Sequence, residues 1–297
     1  MASDMASAAA ATSTPDLSWS EVKLSTRDFN QLSTFIEKEV GIQLPETKHV
    51  MVESRLRKRL RALGLSNFPA YMARVFGPSR DEGELIHLVD AVTTNKTDFF
   101  REPHHFTYLA REALPALLAE GDSHATHPLT VWSAASSTGE EPFTLAMVLS
   151  EFAESHALNW QIVATDISTA VLDRARRAIY TDSCAEAIPG LLKRKYLLRS
   201  RDRAQGLVRI HPRLRQKVTF QRLNLLSRQY NVPRPIDVIF CRNVFIYFNR
   251  ATQAQILLRF VDALRPGGFV FLGHSETTNG LAVPLVQIAP TIYQKAR

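Results

Sequence analysis

The chain after about residue 100 alternates short apolar runs with longer helical stretches, and this alternation constrains the fold more than any other feature. The apolar runs with strand character are 129–132, 160–165, 236–241 and 268–272. The helical stretches between and after them are about 141–155, 168–179 and 250–264. Strands that alternate with helices in this way are the signature of a parallel α/β sheet with crossover helices.

One stretch, residues 193–222, interrupts the alternation. Within it, residues 207–211 (LVRIH) and 217–221 (KVTFQ) have the composition of two strands. We interpret this stretch as a small antiparallel β subdomain that is inserted into the sheet domain.

The first 92 residues predict a different architecture, a small helical bundle. Ser25 starts a capping-box spacing, and apolar residues at helical intervals follow it as far as Gly41. Further helices are predicted at about 48–63, after Asn67 and around 85–92. The chain therefore divides into four parts: a disordered tail rich in Ala, Ser and Thr (1–20), a helical domain (21–92), a linker (93–102) and a sheet domain (103–297).

Length and composition exclude several classes of protein. The 297 residues are enough for one large domain or two ordinary ones. No apolar run approaches the ~18 residues of a transmembrane helix, and the N-terminus lacks the basic and apolar regions of a signal peptide. Two cysteines, Cys184 and Cys241, are too few for a disulfide framework or a cysteine-based metal cluster. We expect a protein of the reducing cytoplasm without a metal site.

Basic charge is concentrated in two segments. The net charge of the chain is +7, whereas residues 48–61 carry +5 and residues 193–222 carry +10. Such a field attracts an acidic partner, which is a nucleic acid, an anionic membrane or an acidic protein. Two well-solvated surfaces are the alternative interpretation. The second segment contains only Tyr196 and Phe220 as aromatic residues, which is few for stacking on single-stranded nucleic acid.

The residues after the first two predicted strands indicate a nucleotide-type site. Open α/β sheets bind ligands beyond the carboxyl ends of their strands. Residues 133–142 (SAASSTGEEP) follow the first strand, and their small side chains let the backbone approach a ligand. Asp166 ends the second strand, where a carboxylate can accept hydrogen bonds from both hydroxyls of a ribose.

Other interpretations of these residues stay open. Thr138 and Glu141 also have capping-box spacing, and Asp166 could cap the helix that follows it. The single glycine of this turn does not make a dinucleotide-binding fingerprint, and the turn has no Walker lysine. Taken together, the residues favour an adenosine-containing ligand without phosphates.

Five motifs then stand in order along the chain. They are 93–102 (TTNKTDFFRE), 133–142 (SAASSTGEEP), 164–167 (ATDI), 237–248 (DVIFCRNVFIYF) and 264–276, which contains LRPGG and GHSE. Together they resemble the chemotaxis receptor glutamate methyltransferases of the CheR type, over about residue 22 to the C-terminus. Phe143 and Ser136 depart mildly from the residues that are common at these places in the family.

The resemblance implies an N-terminal all-α helical bundle followed by a Rossmann-like class I methyltransferase sheet with a small inserted antiparallel β subdomain. It implies that S-adenosylmethionine is the cofactor and S-adenosylhomocysteine its product. The substrate would be glutamate side chains on the acidic, helical, cytoplasmic region of chemoreceptors. The linker 93–102 would contribute to the cofactor site. The cofactor contacts that the resemblance implies are Asn95, Thr97, Arg101, Glu141, Asp166, Asn224, Leu225, Cys241 and Arg242.

Two residues are candidates for catalytic placement. A glutamate carboxylate, with a pKa of about 4.3, is ionised at neutral pH and needs no general base. Arg101 could hold a carboxylate in a planar fork, or it could bind Glu102 or the loop itself. Tyr247 could form a wall of the methyl-transfer site, or it could pack in the core.

The basic second helix is the candidate docking surface for the receptor. The residues predicted to dock it are Arg55, Arg57, Lys58, Arg59 and Arg61. The β subdomain 193–222 is a candidate site for tethering a receptor's C-terminal peptide. We expect a cytoplasmic monomer at the periphery of receptor arrays, without membrane insertion or a nucleic-acid partner. A non-catalytic S-adenosylmethionine-binding module and a nucleic-acid methyltransferase are the alternatives.

Overall fold

The structure of the protein, a computed structural model, describes residues 21–119 and 127–296. The disordered tail predicted for residues 1–20 lies outside the described residues. Within the described part of the chain, no helix has the length and apolar character that crossing a membrane requires.

Residues 21–92 form a helical domain. Its α-helices are α1 Thr26–Val40, α2 His49–Leu63, α3 Phe68–Phe76 and α4 Glu82–Val92. The Ser25 hydroxyl caps α1, and Gly41 and Gly64 end α1 and α2 in the left-handed conformation. Asn67 caps α3. The predicted helix boundaries are confirmed, because the capping side chains and glycines that the sequence shows stand at these ends.

Gly41 is also a point of close approach between the two domains. A Cβ atom at Gly41 would lie 2.6 Å from Leu226 Cδ1 and 3.1 Å from Phe248 Cδ1. Two residues later, the Gln43 N–H donates a hydrogen bond of 2.9 Å to the carbonyl of Tyr247. A side chain at Gly41 would push these two segments apart, so glycine is needed where α1 meets the sheet domain.

The remainder of the described chain is the sheet domain. Its helices are α5 Pro103–Tyr108, α6 Leu114–Ala119, α7 Glu140–Ser155, α8 Thr169–Arg177, α9 Gly190–Tyr196, α10 Pro212–Arg215 and α11 Arg250–Ala263. Its strands are β1 Leu129–Ala134, β2 Trp160–Asp166, β3 Ile179–Thr181, β4 Leu197–Arg199, β5 Leu207–Ile210, β6 Val218–Arg222, β7 Ile236–Cys241, β8 Leu264–Leu272, β9 Leu285–Ala289 and β10 Ile292–Lys295.

Seven of the described strands build the main sheet, with the order β6–β2–β1–β7–β8–β10–β9. Strands β6, β2, β1, β7 and β8 are parallel, and β10 is antiparallel to both of its neighbours. Every residue of β1 and β7 is buried, because α7 packs into one core cluster and α11 into the other. This confirms the α/β architecture, in which buried parallel strands read as continuous apolar runs.

The extent of the inserted subdomain was predicted only in part. The antiparallel sheet has the order β3–β5–β4, so it begins at Ile179 and not at residue 193. The prediction that 217–221 belongs to it is wrong, because Val218–Arg222 pairs in parallel with β2 in the main sheet. Phe220 packs against Phe143 of α7, with ring centroids 5.7 Å apart. Strands of three residues, such as β3 and β4, are too short to show a period of two in the sequence.

Candidate active site

A cavity lies between the helical domain and the carboxyl ends of the central strands. Its walls are the end of α1, the start of α2, the linker after α4, and the turns that follow β1, β2, β6 and β7. Because Ala134 of β1 is in register with Thr165 of β2, the turns after these two strands reach the cavity side by side. The site therefore occupies the ligand-binding edge of an open α/β sheet.

The turn after β1 brings the backbone close to the cavity. Ala135 and Ser137 have positive φ angles of 62° and 49°. Gly139 has a φ of 99°, and a Cβ atom there would lie 2.8 Å from the Tyr180 hydroxyl. Ser136 lines the cavity, is 1% exposed, and its hydroxyl has no hydrogen-bond partner in the described structure. Burying a polar atom without a hydrogen-bond partner costs free energy. The Ser136 hydroxyl therefore indicates that a ligand binds here.

Asp166 joins the turns after β1 and β2. Its Oδ2 accepts the Ser137 N–H and its Oδ1 accepts the Ser168 N–H, both at 2.9 Å. The helix cap is the Ser168 side chain, which accepts from Val171, so Asp166 is not the cap residue of α8. Burial raises the pKa of the Asp166 carboxyl. Backbone N–H groups of Ser137, Ser168 and Ile167 all stabilise the charged carboxylate, and lone-pair capacity for a hydroxyl group from the cavity remains on its two oxygens.

Glu141 takes part in a buried ion pair at the cavity wall. Its Oε1 accepts from the Ser133 hydroxyl and its Oε2 from Arg242 Nε, both at 2.7 Å. The alternative capping box does not form, because the Thr138 hydroxyl donates to Glu140 and Gly139 occupies the N-cap position. The Glu141 carboxylate is thus fixed by tertiary contacts, and it lines the cavity.

Arg242 connects this ion pair to the end of the linker. Its Nη1 donates to the carbonyl of Arg101 at 2.7 Å and lies 3.4 Å from the Glu102 carboxylate. It also lies 3.2 Å from His105 Nδ1. Burial, and next the charge of Arg242, lower the pKa of His105 to about 2, so this ring is neutral. Arg242 therefore places one positive charge between the carboxylates of Glu141 and Glu102.

The linker contributes Asn95, Thr97 and Arg101 to the cavity. Arg101 Nη1 donates to the carbonyl of Lys96 at 3.0 Å. Among the described residues, no acid forms a salt bridge with Arg101, because Glu102 faces Arg242 instead. Of the alternative interpretation, the contact with Glu102 is wrong, whereas the contact with the loop is present as the bond to Lys96. The other N–H groups of the Arg101 guanidinium can still bind a carboxylate.

Tyr247 lies in the 3₁₀ turn Phe245–Tyr247 that follows β7. It lines the cavity and is half-buried, whereas Phe245 and Phe248 on either side are buried. The turn is held by Glu276, whose carboxylate accepts N–H groups of Asn243, Phe245 and Gly273 at 2.6–3.0 Å. Burial raises the pKa of Glu276.

Three predicted cofactor residues have contacts that narrow their roles. The Asn224 amide donates to the carbonyl of Glu39 at 2.7 Å and accepts from the Leu226 N–H at 2.9 Å, which joins it to α1. Asn224 and Leu225 both line the cavity. Cys241 does not line it: the side chain is 0% exposed and lies in the core cluster on the α11 side of the sheet. Burial raises the pKa of the Cys241 thiol.

The predicted docking residues of α2 divide into two groups. Arg55 donates to the carbonyls of Ala91 and Thr93 at 3.1 and 2.6 Å, and Arg57 pairs with Glu53. The Arg59 guanidinium forms two hydrogen bonds, of 3.0 and 2.6 Å, with the buried Glu84 carboxylate, which raises the pKa of Arg59. Lys58 and Arg61 are exposed. Arg55, Arg57 and Arg59 are therefore bound inside the domain, which helical periodicity alone does not reveal.

Comparison with known proteins identifies the family. A family model described as "CheR methyltransferase, SAM binding domain" matches residues 95–291, and "CheR methyltransferase, all-alpha domain" matches residues 27–93. This chain belongs to the CheR methyltransferase family. It is 40% identical to the chemotaxis protein methyltransferase of Escherichia coli (strain K12) over 270 residues, which cover 91% of each chain. It is also 40% identical to chemotaxis protein methyltransferase 2 of Pseudomonas aeruginosa over 276 residues, 93% of this chain and 95% of the relative.

The cofactor of this CheR-family methyltransferase is S-adenosylmethionine, and the residues of the cavity fit it. Asp166 has lone pairs for a ribose diol, and Glu141 presents a carboxylate to an ammonium group. The unpartnered Ser136 hydroxyl, in the turn after β1, precedes both acids in the sequence and lines the same cavity. The sequence showed the two acids by their places after strands. It did not identify Ser136 as a ligand contact, because only the structure shows that its hydroxyl is buried without a partner.

Proposed function

We propose that this methyltransferase transfers a methyl group from S-adenosylmethionine to glutamate carboxylates in the acidic, helical, cytoplasmic region of chemoreceptors. The arrangement of charges in the cavity supports this proposal most directly. Two carboxylates, Asp166 and Glu141, stand on the wall that the strand turns form, and Arg101, without an acidic partner among the described residues, stands on the linker wall. Such a cavity can bind a nucleoside that carries both an ammonium and a carboxylate group. It still presents the Arg101 guanidinium to an anionic group.

Two polar groups of the cofactor have a matching carboxylate in the cavity. We assign the ribose hydroxyls to Asp166 and the ammonium group to Glu141, since carboxylates accept hydrogen bonds from both. The linker residues Asn95 and Thr97 would close over the cofactor. Leu225 would lie beside the adenine, whereas Asn224 would act by holding the turn after β6 to α1. Cys241 would act only through its backbone, since its side chain lies in the core on the α11 side of the sheet.

The reaction requires accurate placement of the reacting groups more than it requires a proton transfer. S-adenosylmethionine supplies an electrophilic methyl carbon on a sulfonium, so the acceptor oxygen forms the new C–O bond while the S–CH₃ electron pair stays on sulfur. The ionised carboxylate has no proton to lose, and the products are a methyl ester and S-adenosylhomocysteine. Arg101 would orient a carboxylate, and Tyr247 would shield the reacting groups from water. Exclusion of water strengthens the electrostatic interactions that hold these groups in position.

The substrate class is proposed from charge and from the family. The relatives are named chemotaxis protein methyltransferases, and the exposed Lys58 and Arg61 of α2 suit an acidic partner. Each ester removes one negative charge from the receptor, so the modification itself can act as a signal. We place the protein in the cytoplasm as a monomer at the periphery of receptor arrays. Strands β3 and β4 are the edges of the small sheet, where an extended receptor tail could add as a strand.

The test is a calorimetric titration with S-adenosylhomocysteine. In Asp166→Ala, loss of hydrogen bonds to a charged acceptor, each about 1.5–3 kcal/mol, should weaken binding about 100-fold. Asp166→Asn keeps the shape of the side chain and should also bind weakly. Asp173→Ala is the control, since Asp173 is an exposed acid of α8 that pairs with Arg176. Equal affinity in all four proteins would refute the cofactor assignment.

Methyl transfer is then measured on a purified receptor fragment. Glutamate methyl esters are hydrolysed by mild base, so a radiolabel on the fragment should become volatile on alkaline treatment. Label that resists base, or that appears on nucleic acid, would instead support a nucleic-acid methyltransferase. Cofactor binding without any transfer to receptor fragments would favour a non-catalytic binding module.

A further inference from the structure

We propose that a groove at the β6 edge of the main sheet binds the phosphate group of a small molecule, with Arg215 as its principal contact. The groove lies between β6 and the helices α7, α8 and α10. Its polar lining residues are Arg176, Arg215, Gln216 and Thr219, and Phe143 and Phe220 are among its apolar ones. No described residue lines both this groove and the cofactor cavity, so the groove is a second site that methyl transfer does not explain.

Arg215 carries a buried donor that the described protein does not satisfy. The residue is half-buried, and its Nε atom is buried without a hydrogen-bond partner in the described structure. Arg213 on the same helix differs, because it donates to the carbonyl of Lys195 at 3.1 Å and lies 4.5 Å from the centre of the Tyr196 ring. An unsatisfied buried donor costs free energy, and the cost is larger for a charged group. Arg215 therefore indicates that an acceptor atom of a ligand binds beside it.

The charge at the groove is positive, and none of its described lining residues is an acid. The basic segment 193–222, with a net charge of +10, supplies most of these residues. Burial, and next the charge of Arg209, lower the pKa of Arg215, whereas a neighbouring acid would raise it. Arg176 of α8 is already paired with Asp173 at 2.9 Å. An anion in the groove would therefore offset the repulsion between Arg209 and Arg215, which the described lining residues leave uncompensated.

The donors of the groove suit a phosphate group. A guanidinium presents N–H groups in a planar fork that matches two phosphate oxygens. The exposed Gln216 amide and Thr219 hydroxyl can donate to further oxygens. The groove has a volume of about 530 Å³, which lies in the usual range of small-molecule sites, and the Phe143 and Phe220 rings, 5.7 Å apart, form an apolar part of its wall. Inorganic phosphate and a nucleotide both carry this group, and separate titrations distinguish them.

The experiment is a set of calorimetric titrations of the full chain at constant ionic strength, with and without S-adenosylhomocysteine. The probes are inorganic phosphate, adenosine 5′-monophosphate and adenosine. We expect one phosphate or nucleotide per protein and no binding of adenosine in the presence of S-adenosylhomocysteine. Tighter binding of the nucleotide than of phosphate would identify a nucleotide as the ligand, and equal binding would identify phosphate alone. The proposal is overturned if neither anion binds, or if S-adenosylhomocysteine abolishes binding, since the probe then occupied the cofactor cavity.

Variants of α10 separate a specific site from a generally basic surface. Arg215→Ala should weaken binding of the anion at least about tenfold, because a hydrogen-bonded charge is lost. Its melting temperature should not fall, since the buried Nε has no partner to lose. Arg215→Lys keeps the charge without the fork and should restore only part of the affinity. Arg213→Ala removes the same charge from the same helix and should bind like the wild type. Equal losses in Arg213→Ala and Arg215→Ala, or unchanged affinity in Arg215→Ala, would refute the site.

Discussion

Arg55 is expected to control the affinity for the cofactor although it lies outside the cavity. Its guanidinium donates to the carbonyls of Ala91 and Thr93, where α4 ends and the linker begins. The linker then carries Asn95, Thr97 and Arg101 into the cavity. Hydrogen bonds from a charged donor are worth about 1.5–3 kcal/mol each, and partial exposure of Arg55 reduces this, so we estimate about 2 kcal/mol for the pair. That energy corresponds to as much as about 30-fold in Kd.

The assay is calorimetric titration of S-adenosylhomocysteine, with thermal unfolding recorded for each variant. Arg55→Ala should bind more weakly by several-fold to about 30-fold, and Arg55→Lys should lie between it and the wild type because an ammonium can still donate to a carbonyl. Lys58→Ala, an exposed neighbour on α2, is the control and should bind like the wild type. If Arg55→Ala lowers the melting temperature but leaves Kd unchanged, Arg55 only stabilises the bundle and this reasoning is wrong.

Two further variants test single contacts of the site. Ser136→Ala should weaken S-adenosylhomocysteine binding about five- to tenfold. The thermal stability should not fall, because the Ser136 hydroxyl has no hydrogen-bond partner within the described protein. Unchanged affinity would show that the ligand does not reach this hydroxyl. Glu276→Gln should lower the free energy of unfolding by about 1–3 kcal/mol, measured by urea titration, since an amide NH₂ would face the N–H donors of Asn243, Phe245 or Gly273; an unchanged urea midpoint would contradict this.

The elements with strong local signals could be predicted from the sequence. Ser25, Gly41 and Asn67 are cap residues whose conformational preferences act within a few residues. Helices α1 and α3 begin after Ser25 and Asn67, and α1 ends before Gly41. The buried strands β1 and β7 were visible as apolar runs. Strand β6 was assigned to the wrong sheet because its pairing with β2 is a long-range contact, for which a run of five residues carries no signal.

Prediction of the candidate site from the sequence has the same limit, because long-range contacts leave no local signal. Asp166 and Glu141 were found because a position after a parallel strand predicts a position in space. The partners of side chains were not predictable: Asn224 contacts the carbonyl of Glu39, and Arg242 pairs with Glu141, at sequence separations far beyond any helical or strand period. Cys241 is a further case, because period-two alternation in β7 places its side chain in the core and that of Arg242 at the cavity.

The basic helix shows why sequence charge and available charge differ. Residues 48–61 carry a net charge of +5 in the sequence, yet Arg55, Arg57 and Arg59 donate to groups of their own domain. An internally paired cation attracts a partner much less than an exposed one, because its field is largely cancelled nearby. The contribution of this helix to attraction of the proposed acidic substrate must then come largely from the exposed Lys48 and Lys58. Reversing Arg55 and Arg59 to Glu would therefore disturb the linker and the bundle, whereas reversal of Lys58 isolates docking from cofactor binding.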